Sequence, residues 1–208
     1  MIEIVKNGGL AMLPLIICSL ISLAIIIERF LFWIFIKINS HQDIIFEVLD
    51  LARDSKWDKI KNKTQGTKNY ILRILVSGIL HREYSMEKAM EAAAHDEIKK
   101  MKKYMGILDT IITAAPLLGI LGTVLGIIMS FEILGTQGIQ EPASVTAGIA
   151  QALITTATGL AIAIFTLFPY NYFNTKIENA IMNMEKYTTS LEVVFARIYL
   201  KEKELISS

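Results

Sequence analysis

Three stretches of the chain are apolar without interruption, and the segments between them carry apolar residues at helical spacing. The first stretch runs from Leu10 to Ile27 without a charge, meets Glu28 and Arg29, and resumes as the aromatic run Phe30 to Phe35. The second extends from about Ile111 to Phe131 and the third from about Val145 to Phe168. Roughly 18 apolar residues in a row suffice for a helix to cross a ~30 Å hydrocarbon core, and a helix satisfies every backbone N–H and C=O within itself. The pattern therefore predicts an all-α integral membrane protein with three transmembrane helices, at residues 10–36, 107–134 and 145–173. The first block is read as a retained helix. A cleaved leader would need a basic start and a shorter core, whereas here Glu3 and Lys6 cancel and bulky residues follow.

The segments outside the blocks predict long helical extensions. Within 37–106, Asp43–Ala52 is amphipathic, with Ile44, Ile45, Val48, Leu49 and Ala52 on one side. A polar connector, Arg53–Lys68, follows with Gly66 as a breaker. Tyr70–Leu80 then reads as a helix through Ile71, Leu72, Leu75, Val76 and Ile79. Ser85 is placed as the N-cap of the next helix, where Glu87 and Glu91 suit the positive end of the dipole. No Pro or Gly occurs from Met86 until Gly106, so this helix is expected to run unbroken into the second span. A single helix over Met86–Leu134 would reach roughly 70 Å, more than twice the hydrocarbon thickness. Asn174–Leu205 also lacks Pro and Gly and spaces Ile177, Ile181, Met184, Leu191, Val194 and Ile198 as a helix would.

Charge orients these elements. Of 21 Lys and Arg, fourteen fall between Lys37 and Lys103 and five follow the third span, whereas only Lys6 precedes the first and none lies between Leu134 and Ser144. Basic residues beside spans stay cytoplasmic. The expected topology has a periplasmic N-terminus (1–9), a cytoplasmic insert (37–106), a periplasmic loop (135–144) and a cytoplasmic C-terminal helix (174–208). The net charge of +1 gives no reason to expect nucleic acid, and Lys99-Lys100 with Lys102-Lys103 read as anchors to anionic phospholipid. Cys18 is the only cysteine, and His41, His81 and His95 place no two rings on one helical face, so no metal site is expected. No phosphate-binding loop of the G-x-x-x-x-G-K-[S/T] type occurs, and no catalytic constellation is seen; the chain does not read as an enzyme.

The second and third spans carry the candidate chemistry. Ala115, Gly119, Gly122, Gly126 and Ser130 recur at spacings of four and three, forming one small-residue stripe. Gly148, Ala152, Gly159 and Ala163 form another on the third span. Such stripes let helix backbones approach closely in lipid, and continuous ones predict a homo-oligomer. Thr123 and Ser130 stand beside the first stripe; Gln151, Thr155 and Thr158 make a polar face beside the second, with Thr156 nearby. A single Thr in a span is usually structural, worth ~0.6 kcal/mol and rarely above ~2. So many polar side chains in one hairpin point instead to a shared polar interior or pore.

These same residues carry a family resemblance over nearly the whole chain. The first span (Pro14 to Leu20, then Ile26 to Phe30), the motif Ala115-Pro116 through Gly126, and Ala147 through Leu160 ending at Tyr170-Asn171 resemble the MotA/TolQ/ExbB proton-channel family, most closely ExbB or TolQ. The resemblance implies a pentamer whose second and third helices surround a pore in the bacterial inner membrane. That pore would hold the single spans of an ExbD- or TolR-like partner, each with a membrane Asp, and a TonB- or TolA-like protein would complete the set. Protons would be the coupling ion, with no other cofactor. Thr123 and Thr156 fall on the family's pore-lining threonines, whereas Gln151 stands where many members carry Glu, and an amide exchanges no proton. Apart from Asp109 and Glu132 near the span ends, these two spans hold no acidic or basic side chain, so a group that changes charge inside the membrane must come from a partner. The competing reading is a non-conducting membrane scaffold assembled through its small-residue faces.

Overall fold

A computed structural model describes residues 11–39, 42–137 and 142–207. Seven helices account for nearly all of them: α1 (Met12–Ile38), α2 (Gln42–Arg53), α3 (Trp57–Thr64), α4 (Tyr70–Leu80), α5 (Met86–Met101), α6 (Met105–Gln137) and α7 (Pro142–Ser207). Three of these, α1, α6 and α7, are long and apolar enough to cross a membrane. The expected outer N-terminus, residues 1–9, lies outside the described residues, as do 138–141 of the expected loop; α6 and α7 take up the rest of that loop as helix.

The packing divides into two units, the first containing α1 up to Arg29 and Tyr104–Phe173. Here Met12, Leu15, Ile111 and Ala115 are buried together, with Ile16, Cys18, Leu118, Ile154 and Ile162 packed around them. The outward side chains are also apolar: Leu117, Ile120, Leu121, Phe165 and Phe168 are all exposed. A helix that is apolar all round is covered by lipid or by other protein. At one end of the unit the Arg29 side chain is 2% exposed. It donates through Nε (2.5 Å) and an Nη (2.6 Å) to both carboxylate oxygens of Glu28 and sits 5.9 Å from the centroid of the Tyr104 ring.

Tyr104 marks the main departure from expectation. The helix predicted to run from Met86 through Leu134 is broken at Lys102–Tyr104, and Tyr104 adopts φ +65. Left-handed backbone at a bulky residue costs about 1–3 kcal/mol. No Gly or Pro lies within Lys102–Tyr104; Met101 and Met105 are each buried, and the Tyr104 ring lies 5.9 Å from the Arg29 guanidinium.

The second unit contains Phe30–Lys103 and the part of α7 from Asn174 onward. α4 appears where its spacing predicted it, capped by Asn69, whose side chain accepts from the Ile71 (2.9 Å) and Leu72 (3.4 Å) amides. Its apolar face buries Ile71, Leu72, Ile74, Leu75 and Ile79. Along α7, Ile177, Ala180, Met184, Tyr187, Leu191 and Val194 make the buried stripe. Burial pushes the Tyr70 phenol above its ordinary pKa, although a hydrogen bond with Asn183 opposes the shift. Two expectations change here. The polar connector Arg53–Lys68 contains the short helix α3, because Trp57 stacks on Phe195 at 5.2 Å while Ile60 and Thr64 bury the same side. Gly66 takes φ +74 just beyond α3, the left-handed conformation that glycine tolerates. Ser85 does precede α5, but its hydroxyl makes no capping bond; the helix starts on backbone alone, with Ala89 N–H donating to the Ser85 carbonyl.

Two outcomes test this packing. A Cβ on Gly159 would press into the Ala115 carbonyl and lie 3.2 Å from Gly119 Cα, backbone that has no room to yield, whereas Gly135 has open space. Gly159→Ala should lower stability in detergent by about 1–3 kcal/mol, and Gly135→Ala should leave it unchanged or raise it by ~0.5–1 kcal/mol. Thermal unfolding of the two variants measures the difference. In the second unit, the Glu97 side chain is 8% exposed and accepts from Arg73 (2.6 Å) and Lys100 (2.8 Å). Glu97→Ala should cost about 1–3 kcal/mol, against less than ~1 kcal/mol for Asp50→Ala, which removes the solvent-exposed pair with Arg53.

Candidate functional site

The small-residue stripes of α6 and α7 meet each other inside one chain. A Cβ at Gly119 would lie 3.0 Å from Thr156 Cα and 3.1 Å from the Thr155 carbonyl; one at Gly122 would lie 2.5 Å from Thr155 Oγ1; one at Gly126 would lie 2.8 Å from Ala152 Cβ and 3.2 Å from the Gly148 carbonyl. Gly148 faces Ser130, and Gly159 faces Ala115 and Gly119. Residue numbers rise along α6 as they fall along α7, so the seam is an antiparallel hairpin with a small residue at each crossing. All seven expected packing residues, Ala115, Gly119, Gly122, Gly126, Gly148, Ala152 and Gly159, lie in it. The stripes expected to bring separate copies together thus meet first within the subunit.

Close approach of the backbones brings hydroxyls across the seam. Thr123 and Thr156, from opposite helices, hydrogen-bond each other. Thr156 Oγ1 also donates to the Gly119 carbonyl at 2.9 Å, and Thr123 Oγ1 lies 3.2 Å from both the Gly119 and the Ala152 carbonyls. Two hydroxyl protons thus face two carbonyls and each other's oxygens. The donors can exchange acceptors by rotation about their Cβ–Oγ1 bonds without either proton losing a partner. Both side chains are half-buried.

The other expected polar residues separate from this pair. Thr155 is 1% exposed and donates back to the Ala152 carbonyl at 2.7 Å; Ser130 is 2% exposed and donates to the Gly126 carbonyl at 2.9 Å. Both are closed into the seam of a single chain rather than set on a face open to a lumen. Gln151 is half-buried and makes no hydrogen bond among the described residues. Thr158 turns the other way, bonding the Ile154 carbonyl at 2.8 Å and lining a groove of about 760 Å³ between α1 and α7. Ser19, Ser22 and Thr166 share that groove and were not singled out from sequence. Their signal was present, since Ser19, Ser22 and Ile26 repeat at three and four along α1. Ser22, Thr158 and Thr166 bond carbonyls of their own helices, so three of the hydroxyls along this largely apolar groove are already engaged.

Comparison with known proteins bears on this hairpin directly. Residues 66–186, which include the whole seam, match the profile of the MotA/TolQ/ExbB proton channel family. The chain is 33% identical over 210 residues to an ExbB-like biopolymer transport protein of Synechocystis, covering 97% of this chain and 99% of that one. It is 38% identical over 87 residues to the biopolymer transport protein ExbB of Aquifex aeolicus, covering 42% of this chain and 59% of the relative. It is also 34% identical over 110 residues to the Tol-Pal system protein TolQ of Pseudomonas aeruginosa, covering 53% and 48%. With a glycine-seamed hairpin that falls wholly inside the matched segment, and a relative similar from end to end, this all-α membrane protein belongs to the MotA/TolQ/ExbB family.

Proposed function

We propose that the chain is a subunit of an inner-membrane motor of the ExbB–ExbD or TolQ–TolR type, coupling proton flow to outer-membrane transport or envelope maintenance. The observation that carries this reading is the Thr123–Thr156 pair, a rotatable hydroxyl relay in a hairpin without acid or base between Asp109 and Glu132 or along the third span. Such a pair hydrates and orients a path but stores no charge. A proton crossing 100 mV releases roughly 2.3 kcal/mol, and harvesting it needs a group that changes charge at membrane depth. The Asp of an ExbD- or TolR-like single-span partner supplies that group, and a TonB- or TolA-like protein carries the motion outward. Subunits assemble as a homo-oligomer, five by family analogy, with the proton as coupling ion and no other cofactor. Within this reading the path narrows to Thr123 and Thr156 with Gln151 as an orienting amide, because Thr155 and Ser130 are enclosed in the seam and Thr158 faces the α1 groove.

Activity tests the path. Thr123→Val and Thr156→Val keep side-chain volume and remove the hydroxyls. Together they should slow energy-dependent uptake roughly tenfold, equivalent to ~1.4 kcal/mol in the limiting barrier, with the complex still assembled. Asp→Asn in the partner should abolish uptake. Full activity of the double Thr→Val variant would falsify the path, and uptake without any partner would refute the mechanism.

Orientation is tested separately. With the insert cytoplasmic and the loop between the second and third spans periplasmic, a cysteine at position 137 in a Cys18→Ser background should react with an impermeant thiol reagent in cells with a permeabilised outer membrane. A cysteine replacing His81 should not. The reverse pattern would invert the topology.

A further inference from the structure

In the second unit, two grooves flank the buried stripe of α7 on opposite sides. One, about 450 Å³, runs between α5 and α7; it is floored by Met90 and rimmed by Glu87, Glu91, Glu185 and Glu192, with His95 beside them. The other, about 440 Å³, runs between α7 and the end of α2; it is floored by Val194 and Ile198 and rimmed by Arg53 and Arg197. At 3.6 residues per turn, Glu185 and Glu192 project roughly 120° and 140° around the helix from Arg197. None of the four glutamates forms an ion pair among the described residues, nor does Arg197; Arg53 pairs only with the exposed Asp50. Four carboxylates around one groove form no ion pair among the described residues, while another flank of the same helix presents Arg197, with the paired Arg53 beside it, around a groove of nearly equal volume.

We propose that these two surfaces are the two halves of one interface, the acidic α5/α7 groove of one subunit receiving the basic α2/α7 flank of the next. The occupant is thus a second copy of this chain, chosen by charge complementarity and by the apolar floor each groove offers. Because the two halves are different surfaces, their contact cannot close as a two-fold dimer; it passes head to tail from copy to copy. The small-residue stripes pack on each other within the subunit, and this surface lies outside them. The inference rests on the homo-oligomer of the proposed function but not on its proton path.

Cross-linking in native membranes tests it. A chain carrying Glu192→Cys and Arg197→Cys in a Cys18→Ser background should give, on oxidation, a ladder of covalent species extending beyond the dimer. The two positions are five residues apart on one helix and point away from each other, with Cα atoms beyond the ~7 Å limit for a bridge within a chain. Each single-cysteine chain should give at least fivefold less dimer than the two co-expressed. Glu185→Arg with Glu192→Arg should abolish the oligomer measured by native mass, and adding Arg53→Glu with Arg197→Glu should restore it. A ladder ending at dimers, or equal dimer from a single-cysteine chain, would overturn the head-to-tail arrangement. An intact oligomer without cross-links would overturn this interface and leave the proposed assembly standing, whereas a monomeric wild-type chain would overturn both.

Discussion

Two glycine-lined helices packed backbone against backbone set the terms for the rest of the first unit. In lipid there is no hydrophobic gain from bringing helices together, so association depends on close packing and interhelical hydrogen bonds. Gly119, Gly122, Gly126 and Gly159 remove the Cβ atoms that would keep α6 and α7 apart. Only at that distance can the Thr156 hydroxyl reach a carbonyl of the opposite helix. Seam and polar pair are one feature: a larger side chain at a crossing would part the hydroxyls as well as the backbones.

Charge is segregated as strictly. The hairpin between Asp109 and Glu132, and the third span, hold hydroxyls and the amides Gln151 and Asn171 but no acid or base, while the second unit carries the carboxylates and cations. Ionised groups in hydrocarbon are expensive, and the buried Arg29 shows what retaining one requires: two carboxylate contacts from Glu28 and an aromatic face from Tyr104. Outside the spans charge costs little, and there it can specify contacts.

Much of this was legible in the residues. Uninterrupted apolar length placed the three long helices, because a membrane-crossing helix needs no partner to satisfy its backbone. The spacing of Ile71, Leu72, Leu75 and Ile79 placed α4, and the structure adds Asn69 as its cap. The packing residues were readable as stripes, since spacings of three and four put them on one face whatever the tertiary structure. Less legible were features that depend on contacts distant in sequence. α3 is too polar to announce itself and is held by the stack of Trp57 on Phe195. The turn at Tyr104 contains no Gly or Pro, and the Tyr104 ring meets a guanidinium contributed from far along the chain, that of Arg29.

The sequence alone determined that this is a three-span helical membrane protein with small and polar faces on its last two spans, because hydrophobic length and helical period are local properties. It also determined that no carboxylate sits at the centre of those spans. What a face meets is not local. Only the tertiary structure decided that the glycine stripes pack on each other within one chain, that Thr123 and Thr156 pair while Thr155 and Ser130 are enclosed, and that Thr158 turns towards α1. Periodicity names the residues that share a side of a helix; which neighbour lies against that side is set by how closely two backbones can approach.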